Sequence, residues 1–274
     1  MHILALDFDG VISDSAPEAF IVALRTYVGL GGDAEPALAP DLEALEAAGL
    51  ERPVVAASPL YAGFVDFMPL GNRAEDFGVV LAALERGHAL RDQRDYDEHK
   101  RALEAARPGF SEAFHERFYR ERDRFAERDP RGWLALMGPY REFVALLRRR
   151  AQDRVLAIAT AKDRPSVERL LGHYGIEDLF PQEKVLDKET GSSKRAHLSE
   201  LASRLGAPCE AISFVDDKVN HLEDVSSLGV RPVLAAWGYN GPREQERARA
   251  CGFEVCSLEA AERVLFDRTS RPSS

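Results

Sequence analysis

Residues 2–10, HILALDFDG, decide how the rest of the chain is interpreted. A run of four apolar residues stops at Asp7, and a second acid, Asp9, stands directly before Gly10. A short apolar run that ends in acid and glycine is typical of a buried strand leading into a loop. Two carboxylates this close repel each other unless a cation lies between them, and an oxygen-only site suits Mg²⁺. The alternative is an Asx turn after the strand, which requires no ion.

Further apolar runs with polar ends occur in the C-terminal half of the chain. They lie at Val155–Thr160, Ile212–Asp217, Val233–Trp237 and, more briefly, Val185–Asp187. Helical patterns lie between them, at residues 140–150, 166–174, 194–205, 222–228 and 243–250. Strands that alternate with helices predict an α/β fold, a parallel sheet with helices on both faces. Ligands bind such sheets at the carboxyl ends of the strands, so we expect the polar ends to converge.

The segment between residues 16 and 136 has a different pattern. It contains few strand-like runs and five helical stretches, at residues 17–27, 40–48, 73–85, 96–106 and 111–127. In the last stretch, Glu and Asp are interleaved with Arg, which indicates an amphipathic, solvent-facing helix rather than a nucleic-acid patch. The sequence therefore predicts a core domain at 1–15 and 137–274 and an inserted, mainly α-helical domain at 16–136.

Composition excludes several classes of protein. The 274 residues are 45% hydrophobic, 8% aromatic and 30% charged, which is typical of a globular protein. The net charge of −10 argues against a nucleic-acid partner, because phosphate backbones require clustered Lys and Arg. Three cysteines without a CxxC pair argue against disulfide frameworks and zinc ribbons. Since no stretch approaches about 20 apolar residues, we expect no membrane span and a cytoplasmic protein.

Three more segments of the chain carry groups suited to phosphate or metal chemistry. Asp216 and Asp217 end an apolar run, and a helix N-cap would require only one of them, so one cation shared with the first acids is the simpler interpretation. Thr160 could bind a phosphoryl oxygen, although a lone Thr at a strand end is more often a helix cap. Lys194 opens a helix after a Gly-Ser-Ser loop, where a lysine is by default a solvated surface residue, and Lys188 is a nearby competitor.

These pieces, in this order, resemble the haloacid dehalogenase (HAD) superfamily. The residues that match its motifs are Asp7-Phe8-Asp9-Gly10-Val11, Thr160, Lys194 and Asp216-Asp217. Residues 234–265, LAAWGYNG to AERVL, also look like the closing strand and helix of phosphoglycolate-phosphatase-like members. The resemblance covers about residues 1–15 and 137–266. It implies a Rossmann-like core, with the inserted segment as a helical cap that follows the first strand.

The resemblance also implies a reaction. Asp7 would attack phosphorus to give an aspartyl-phosphate, and Asp9 would protonate the leaving group and later take a proton from water. The implied phosphate-binding residues are Phe8, Asp9, Thr160, Ala161 and Lys194. The implied magnesium ligands are Asp7, Asp9 through its backbone carbonyl, Asp216 and Asp217. The presence of Asp9 favours phosphate esters, because dehalogenating members resemble this pattern but lack the second acid.

The chain departs from the family pattern at two places. Ala161 stands where members often have Asn, and Asn220 and His221 stand where a further acid is common. On this reasoning, metal ligation in the fourth motif depends on Asp216 and Asp217 alone. The seven histidines show no paired metal-ligand spacing, so none is a candidate ligand.

Substrate specificity is expected from the helical segment. Residues 59–67 and 68–77 are the candidate stretches, where Asn72, Arg73 and Asp76 could present polar groups from a Gly-marked turn. The alternative, which we favour, is a turn followed by a helix cap with a local ion pair.

The leading hypothesis is a Mg²⁺-dependent phosphatase that acts on a small phosphorylated metabolite. A receiver-type signalling module also combines acids, a Thr and a Lys. Receivers, however, are small and place the acceptor Asp on a strand midway along the chain, whereas here the acid ends the first strand and a large insertion follows. A non-catalytic HAD-like binding protein would have lost motif acids, and none is lost here. A sugar-phosphate mutase or a phosphonate hydrolase remains an alternative, and the oligomeric state is left open.

Overall fold

The chain folds into two compact units. The computed structural model describes residues 1–31, 37–71, 73–191 and 193–267. One unit, the core unit, consists of Met1–Asp14 with Pro139–Ser274, and the other, the helical unit, is Ser15–Gly138. These bounds lie within two residues of the predicted division of the chain.

The core unit contains a six-stranded parallel sheet. The strands of the chain, in order, are β1 (Ile3–Leu6), β2 (Ser13–Asp14), β3 (Gly138–Pro139), β4 (Val155–Ala159), β5 (Val185–Leu186), β6 (Ile212–Asp216), β7 (Arg231–Ala235) and β8 (Glu254–Cys256). The sheet has the order β5-β4-β1-β6-β7-β8, and β2 and β3 form a separate two-stranded sheet. The predicted parallel sheet is therefore confirmed, with the four expected runs shifted by one or two residues at their ends. Strand β8 is an addition at the sheet edge.

Strand β1 lies in the middle of the sheet, between β4 and β6. All four of its residues are buried, as the apolar run requires. In the pairing register, Leu6 lies opposite Ile158 on one side and Val215 on the other. The residues that follow these positions are therefore side by side at the carboxyl edge of the sheet. This register, set by the burial of apolar side chains, positions the polar strand ends.

The helices of the helical unit occupy most of its described length. Within the described residues they are α1 (Ala16–Gly29), α2 (Ala39–Ala48), α3 (Arg52–Ala56), α4 (Pro59–Phe67), α5 (Ala74–Glu85), α6 (Gln93–Ala106), α7 (Phe110–Arg128) and α8 (Pro130–Ala135). The five predicted helical stretches correspond to α1, α2, α5, α6 and α7. Helices α3, α4 and α8 are short and begin with or near a proline, which suits the first turn of a helix.

Helix α7 shows how the helical unit forms its core. Phe110, Phe114, Phe118 and Phe125 are each at most 5% exposed, whereas Tyr119 is 40% exposed. The spacing of four and seven residues places the four phenylalanines on one face. The predicted amphipathic helix is present, and its apolar face is buried while its charged residues line the other face. Burial of each phenylalanine is worth roughly 2–3 kcal/mol.

Among its described residues, the core unit adds six α-helices on the two faces of its sheet. They are α9 (Arg141–Arg150), α10 (Arg164–Tyr174), α11 (Lys194–Leu205), α12 (Val219–Ser226), α13 (Pro242–Ala250) and α14 (Ala261–Phe266). The first five lie at the predicted places. Among the described residues, none of the helices combines the length and the apolar character that a membrane span needs.

Candidate active site

The carboxyl end of β1 presents a buried acid. Asp7 is only 7% exposed, and its backbone N–H donates to the Val215 carbonyl at 2.9 Å, which continues the pairing of β1 with β6. The Phe8 N–H donates to Oδ1 of Asp7 at 2.7 Å. Burial raises the pKa of Asp7 above its usual range, and Lys194 opposes that rise. The acid is therefore held in place by the strand end itself.

The end of β6 supplies two further buried carboxylates. Asp216 accepts from the Lys218 N–H at 2.9 Å and lies 3.0 Å from Nδ1 of His221. Although burial acts against its charge, the pKa of Asp216 is well below its usual range because His221 and Lys194 stabilise the anion. Asp217, in contrast, has a pKa well above its usual range, because it is buried and lies beside Asp216. Three acids thus crowd one edge of the sheet.

The Asp217 side chain packs against two glycines. Its Oδ2 accepts from the Tyr239 N–H at 2.9 Å. A Cβ on Gly10 would lie 2.4 Å from this same oxygen, and a Cβ on Gly238 would lie 2.3 Å from the Asp217 Cβ. Gly10 also has a φ of +82°. Only glycine satisfies both demands, so the DFDG loop can close against Asp217.

Lys194 links the strand ends electrostatically. Its Nζ lies 2.7 Å from Oδ1 of Asp7 and 3.4 Å from Oδ2 of Asp216, and it donates to the Ala159 carbonyl at 2.8 Å. Burial acts to lower the pKa of Lys194, yet the two carboxylates hold it above its ordinary value. Lys188, the competitor for this role, has a side chain that is 51% exposed, and its Nζ lies 3.9 Å from Glu189. Lys194 is therefore the lysine that contacts Asp7.

Thr160 follows β4 at the same edge and is 1% exposed. Its N–H donates to the Leu186 carbonyl at 2.8 Å, and its Oγ1 accepts from the Lys162 N–H at 3.1 Å. A hydroxyl that accepts still has its own proton to donate. The Thr160 hydroxyl is therefore a buried polar group at the same sheet edge as Asp7. Ala161, next in the chain, is exposed.

Asp9 has a different partner from Asp7. Both of its carboxylate oxygens lie 3.1 Å from Nζ of Lys162. Lys162 has a side chain that is only 5% exposed, whereas that of Asp9 is 35% exposed. The sequence analysis assigned no role to Lys162. Its position two residues after Thr160 is the sequence feature that could have indicated one.

Two carboxylates and one imidazole could hold a metal ion here. Among the described residues, Asp7, Asp216 and His221 form such a group, each offering one atom, with all three atoms within 4.8 Å of one another. Asp7 and Asp216 belong to the predicted ligand set, whereas His221 does not, and Oδ2 of the predicted ligand Asp217 accepts from the Tyr239 N–H. The sequence pattern did not indicate His221 as a ligand. It lies in the first turn of α12, which returns it to the end of β6.

The donor atoms fit a divalent cation. Two buried anionic carboxylates are costly without a positive partner, and Asp7 and Asp216 share the single ammonium of Lys194. Carboxylate oxygens are the ligands that Mg²⁺ prefers, whereas an imidazole nitrogen is a more usual ligand of transition metals. The site therefore has the charge and the donor types for one such ion.

Asp76, one of the polar residues considered for substrate specificity, makes its contacts inside the helical unit. Asp76 is 5% exposed and accepts from the Arg73 N–H at 3.0 Å, from the Tyr96 hydroxyl at 2.5 Å and from Nζ of Lys100 at 2.6 Å. The helix cap of the favoured interpretation is present, but the ion partner of Asp76 is Lys100 from α6 and not a local residue. Burial and Asp76 raise the pKa of Tyr96. Asn72 lies outside the described residues.

Sequence comparison identifies related proteins. The sequence model of the family described as haloacid dehalogenase-like hydrolase matches residues 1–223. The tyrosine-protein kinase PtkA of Mycobacterium tuberculosis is 31% identical over 87 residues, which are 31% of this chain and 29% of PtkA. The phosphoglycolate phosphatase of Synechococcus elongatus is 30% identical over 103 residues, or 37% of this chain and 46% of that enzyme. In both cases the chain spans less than half of the relative's own length.

Structural comparison extends over almost the whole chain. A proposed phosphoglycolate phosphatase from Lactobacillus delbrueckii subsp. bulgaricus superposes with a TM-score of 0.65 and 14% sequence identity. The match covers 98% of this chain and 100% of that one. At this level of identity the likeness establishes a shared fold, and the substrate has to be argued from the site.

Proposed function

The chain belongs to the haloacid dehalogenase-like hydrolase family, and we propose that it is a Mg²⁺-dependent phosphatase acting on a small phosphorylated metabolite. The observation that carries the proposal is the contact of Lys194 Nζ with Asp7 Oδ1, 2.7 Å, at the end of the central strand. A buried acid held by an ammonium at a sheet edge is suited to attack an electrophile that is itself anionic. Small phosphate esters are such electrophiles.

The first half of the proposed reaction is phosphoryl transfer to Asp7. The Phe8 N–H and Lys194 both contact Oδ1, so we assign Oδ2 as the attacking oxygen. The Oδ2–phosphorus bond forms as the ester bond between phosphorus and the leaving oxygen breaks. Asp9 donates a proton to that oxygen, and the product is an aspartyl-phosphate.

The second half is hydrolysis of the aspartyl-phosphate. Asp9, now ionised, takes a proton from water as the water oxygen bonds to phosphorus. The bond between phosphorus and Asp7 breaks, which regenerates the carboxylate and releases inorganic phosphate. Thr160 and Lys194 bind the oxygens that are not transferred, and the Ala161 N–H is a further donor at the same strand end. The Phe8 N–H, as a phosphate donor, would have to exchange its bond with Asp7.

Asp7, Asp216 and His221 would hold the magnesium ion of this mechanism. Bound there, a divalent cation supplies positive charge that screens the repulsion between the Asp7 carboxylate and the phosphoryl group. This proposal keeps Asp7 and Asp216 from the predicted ligand set and adds His221. The Asp9 backbone carbonyl and Asp217 remain predicted ligands.

The Asp7→Asn variant tests the proposed nucleophile. An amide cannot form the acyl-phosphate, so we expect kcat/KM for p-nitrophenyl phosphate to fall at least about 1000-fold. The matched control is Asp178→Asn, since Asp178 is 61% exposed and pairs with Arg148 on the surface. Circular dichroism checks that both variants fold. Turnover by Asp7→Asn at the wild-type rate would rule out the mechanism.

A screen of phosphorylated metabolites, recording kcat/KM and the release of inorganic phosphate, identifies the substrate class. Phosphoglycolate belongs in the first set because the Synechococcus relative carries that name. Release of inorganic phosphate indicates a phosphatase, whereas an isomeric phosphate ester would indicate a mutase. A phosphonate in the same screen tests carbon–phosphorus cleavage.

A protein kinase activity is a second candidate, favoured by the sequence match to PtkA. Incubation with γ-labelled ATP separates the two functions. A tyrosine kinase transfers the label to tyrosine, and the resulting phosphotyrosine is stable to hydroxylamine. An aspartyl-phosphate is cleaved by hydroxylamine and also hydrolyses over time to inorganic phosphate.

A further inference from the structure

Lys162 is a buried lysine that the family resemblance and the proposed mechanism leave without a role. Its ammonium is equidistant from the two oxygens of Asp9, at 3.1 Å each. The side chain is 5% exposed, which is unusual for lysine unless it is paired. Removing an ammonium from water is costly, and the contact with the Asp9 carboxylate offsets that cost.

The backbone around Lys162 is fixed at two points. Its N–H donates to Oγ1 of Thr160 at 3.1 Å, and its carbonyl accepts from the Lys188 N–H at 3.4 Å. The first bond ties the lysine to the end of β4, and the second ties it to the loop after β5. The backbone position of Lys162 is therefore fixed, and its four-carbon side chain extends from there to Asp9 on the neighbouring loop.

Asp9 is more exposed than Asp7 at the same edge of the sheet. The Asp9 side chain is 35% exposed, whereas that of Asp7 is 10% exposed and is held by the Phe8 N–H and Lys194. A partly exposed carboxylate samples several rotamers, and a symmetric contact with an ammonium selects one of them. Two buried lysines thus contact different acids of the DFDG loop, since Lys194 pairs with Asp7 and Lys162 pairs with Asp9.

We propose that Lys162 is a positioning residue for Asp9, holding its carboxylate in the orientation from which it exchanges a proton with the leaving group and with water. This inference rests on the proposed function, because Asp9 is the acid and base of that mechanism. It assigns Lys162 no contact with the substrate phosphate. Its effect on catalysis is therefore transmitted through the geometry of Asp9.

The dependence on the leaving group distinguishes positioning from the other roles. A poor leaving group such as an alkoxide needs the proton of Asp9, whereas 2,4-dinitrophenolate leaves without it. We expect Lys162→Met to lower kcat/KM about 10- to 100-fold for an alkyl phosphate, part of the full contribution of a general acid. The same variant should change kcat/KM for 2,4-dinitrophenyl phosphate by no more than about threefold. Lys162→Arg should recover part of the loss, because guanidinium also pairs with carboxylate.

Three comparisons complete the experiment. Asp9→Asn should show the same dependence on the leaving group with a larger amplitude. Lys188→Met is the control, because its side chain is exposed and only its backbone contacts Lys162. The inhibition constant of inorganic phosphate should be the same in Lys162→Met and the wild type.

Each contrary result has a separate meaning. A raised inhibition constant for phosphate, with kcat unchanged, would make Lys162 a substrate ligand and overturn the inference. An equal loss for both leaving groups together with a lower Tm would make the lysine merely structural. If Asp9→Asn itself hydrolyses alkyl phosphates at the wild-type rate, the acid and base role of Asp9 fails, and the role of Lys162 fails with it. The proposed function fails only if the wild type releases no inorganic phosphate from any phosphate ester.

Discussion

Buried charges are arranged differently in the two units. In the helical unit, Glu18 is fully buried, and its two oxygens accept from Nε and Nη2 of Arg122 at 2.8 Å each, while Trp133 donates to it at 3.1 Å. This acid therefore has one dedicated cation. In the core unit, Asp7 and Asp216 share the ammonium of Lys194, Asp216 also contacts His221, and Asp217 lies beside them.

The difference distinguishes acids that stabilise the fold from acids that are available to take part in a reaction. A buried pair with matched charges is satisfied by the protein itself, as Glu18 and Asp76 are. A cluster with more carboxylates than cations is satisfied only when something else brings positive charge. The pKa values of Asp7 and Asp217 are raised, first by burial and then by the neighbouring Asp216. The crowded edge of the sheet is therefore where a metal ion and a phosphoryl group would act.

The largest effect expected from this comparison concerns the shared ammonium. Lys194→Met removes the cation from Asp7 and from the transferring phosphoryl group, so we expect kcat/KM to fall about 100- to 1000-fold. Lys188→Met, with its exposed side chain, should leave kcat/KM unchanged. Steady-state kinetics with p-nitrophenyl phosphate measures both. Equal losses in the two lysine variants would contradict the assignment.

A structural acid should lose stability instead. Glu18→Gln leaves Arg122 beside a neutral amide in a buried setting, so we expect the free energy of unfolding to fall by about 3 kcal/mol. Glu98→Gln is the matched control in the same unit, since Glu98 is 52% exposed and pairs with Arg94 on the surface, a pair worth less than about 1 kcal/mol. Urea titrations followed by circular dichroism compare the two. A stability loss no larger than that of the control would refute the distinction.

The smallest of these effects concerns the imidazole at the metal site. His221→Asn keeps a polar group but alters the donor, so we expect Mg²⁺ affinity to fall roughly tenfold. The control is His173→Asn, because His173 is exposed. Isothermal titration calorimetry of the metal-free proteins gives the affinities directly. An unchanged affinity in His221→Asn would remove His221 from the ligand set.

We also expect EDTA to stop turnover and Mg²⁺ to restore it.

The sequence predicted the fold well because the signals were local and repeated. Each apolar run that stops at a polar residue, such as the one before Asp7, predicts a strand without any knowledge of its neighbours. The order of runs and helical stretches then predicts the parallel sheet. Strand β8 was missed because only three residues form it, and two of these are partly exposed, so they make no apolar run.

The site was harder to predict, because pairing between side chains is not a local property. The spacing of Asp216 and His221 did not indicate a contact, since it takes a helical turn beginning at Val219 to bring them together. Lys162 and Asp9 are 153 residues apart, and nothing in the segment around Lys162 names its partner. For Asp76, the favoured helix cap was present, but the partners Tyr96 and Lys100 come from another helix.

By itself, the sequence determined which residues stand at the ends of the buried strands, because apolar periodicity and its interruption are properties of consecutive residues. It thereby placed Asp7, Thr160 and Asp216 at one edge of a sheet. Only the tertiary structure decided which cation meets which acid: Lys194 meets Asp7, Lys162 meets Asp9, and His221 meets Asp216. The physical reason is that all lysines look alike along a chain, whereas ion pairing depends on separations of about 3 Å that packing alone sets.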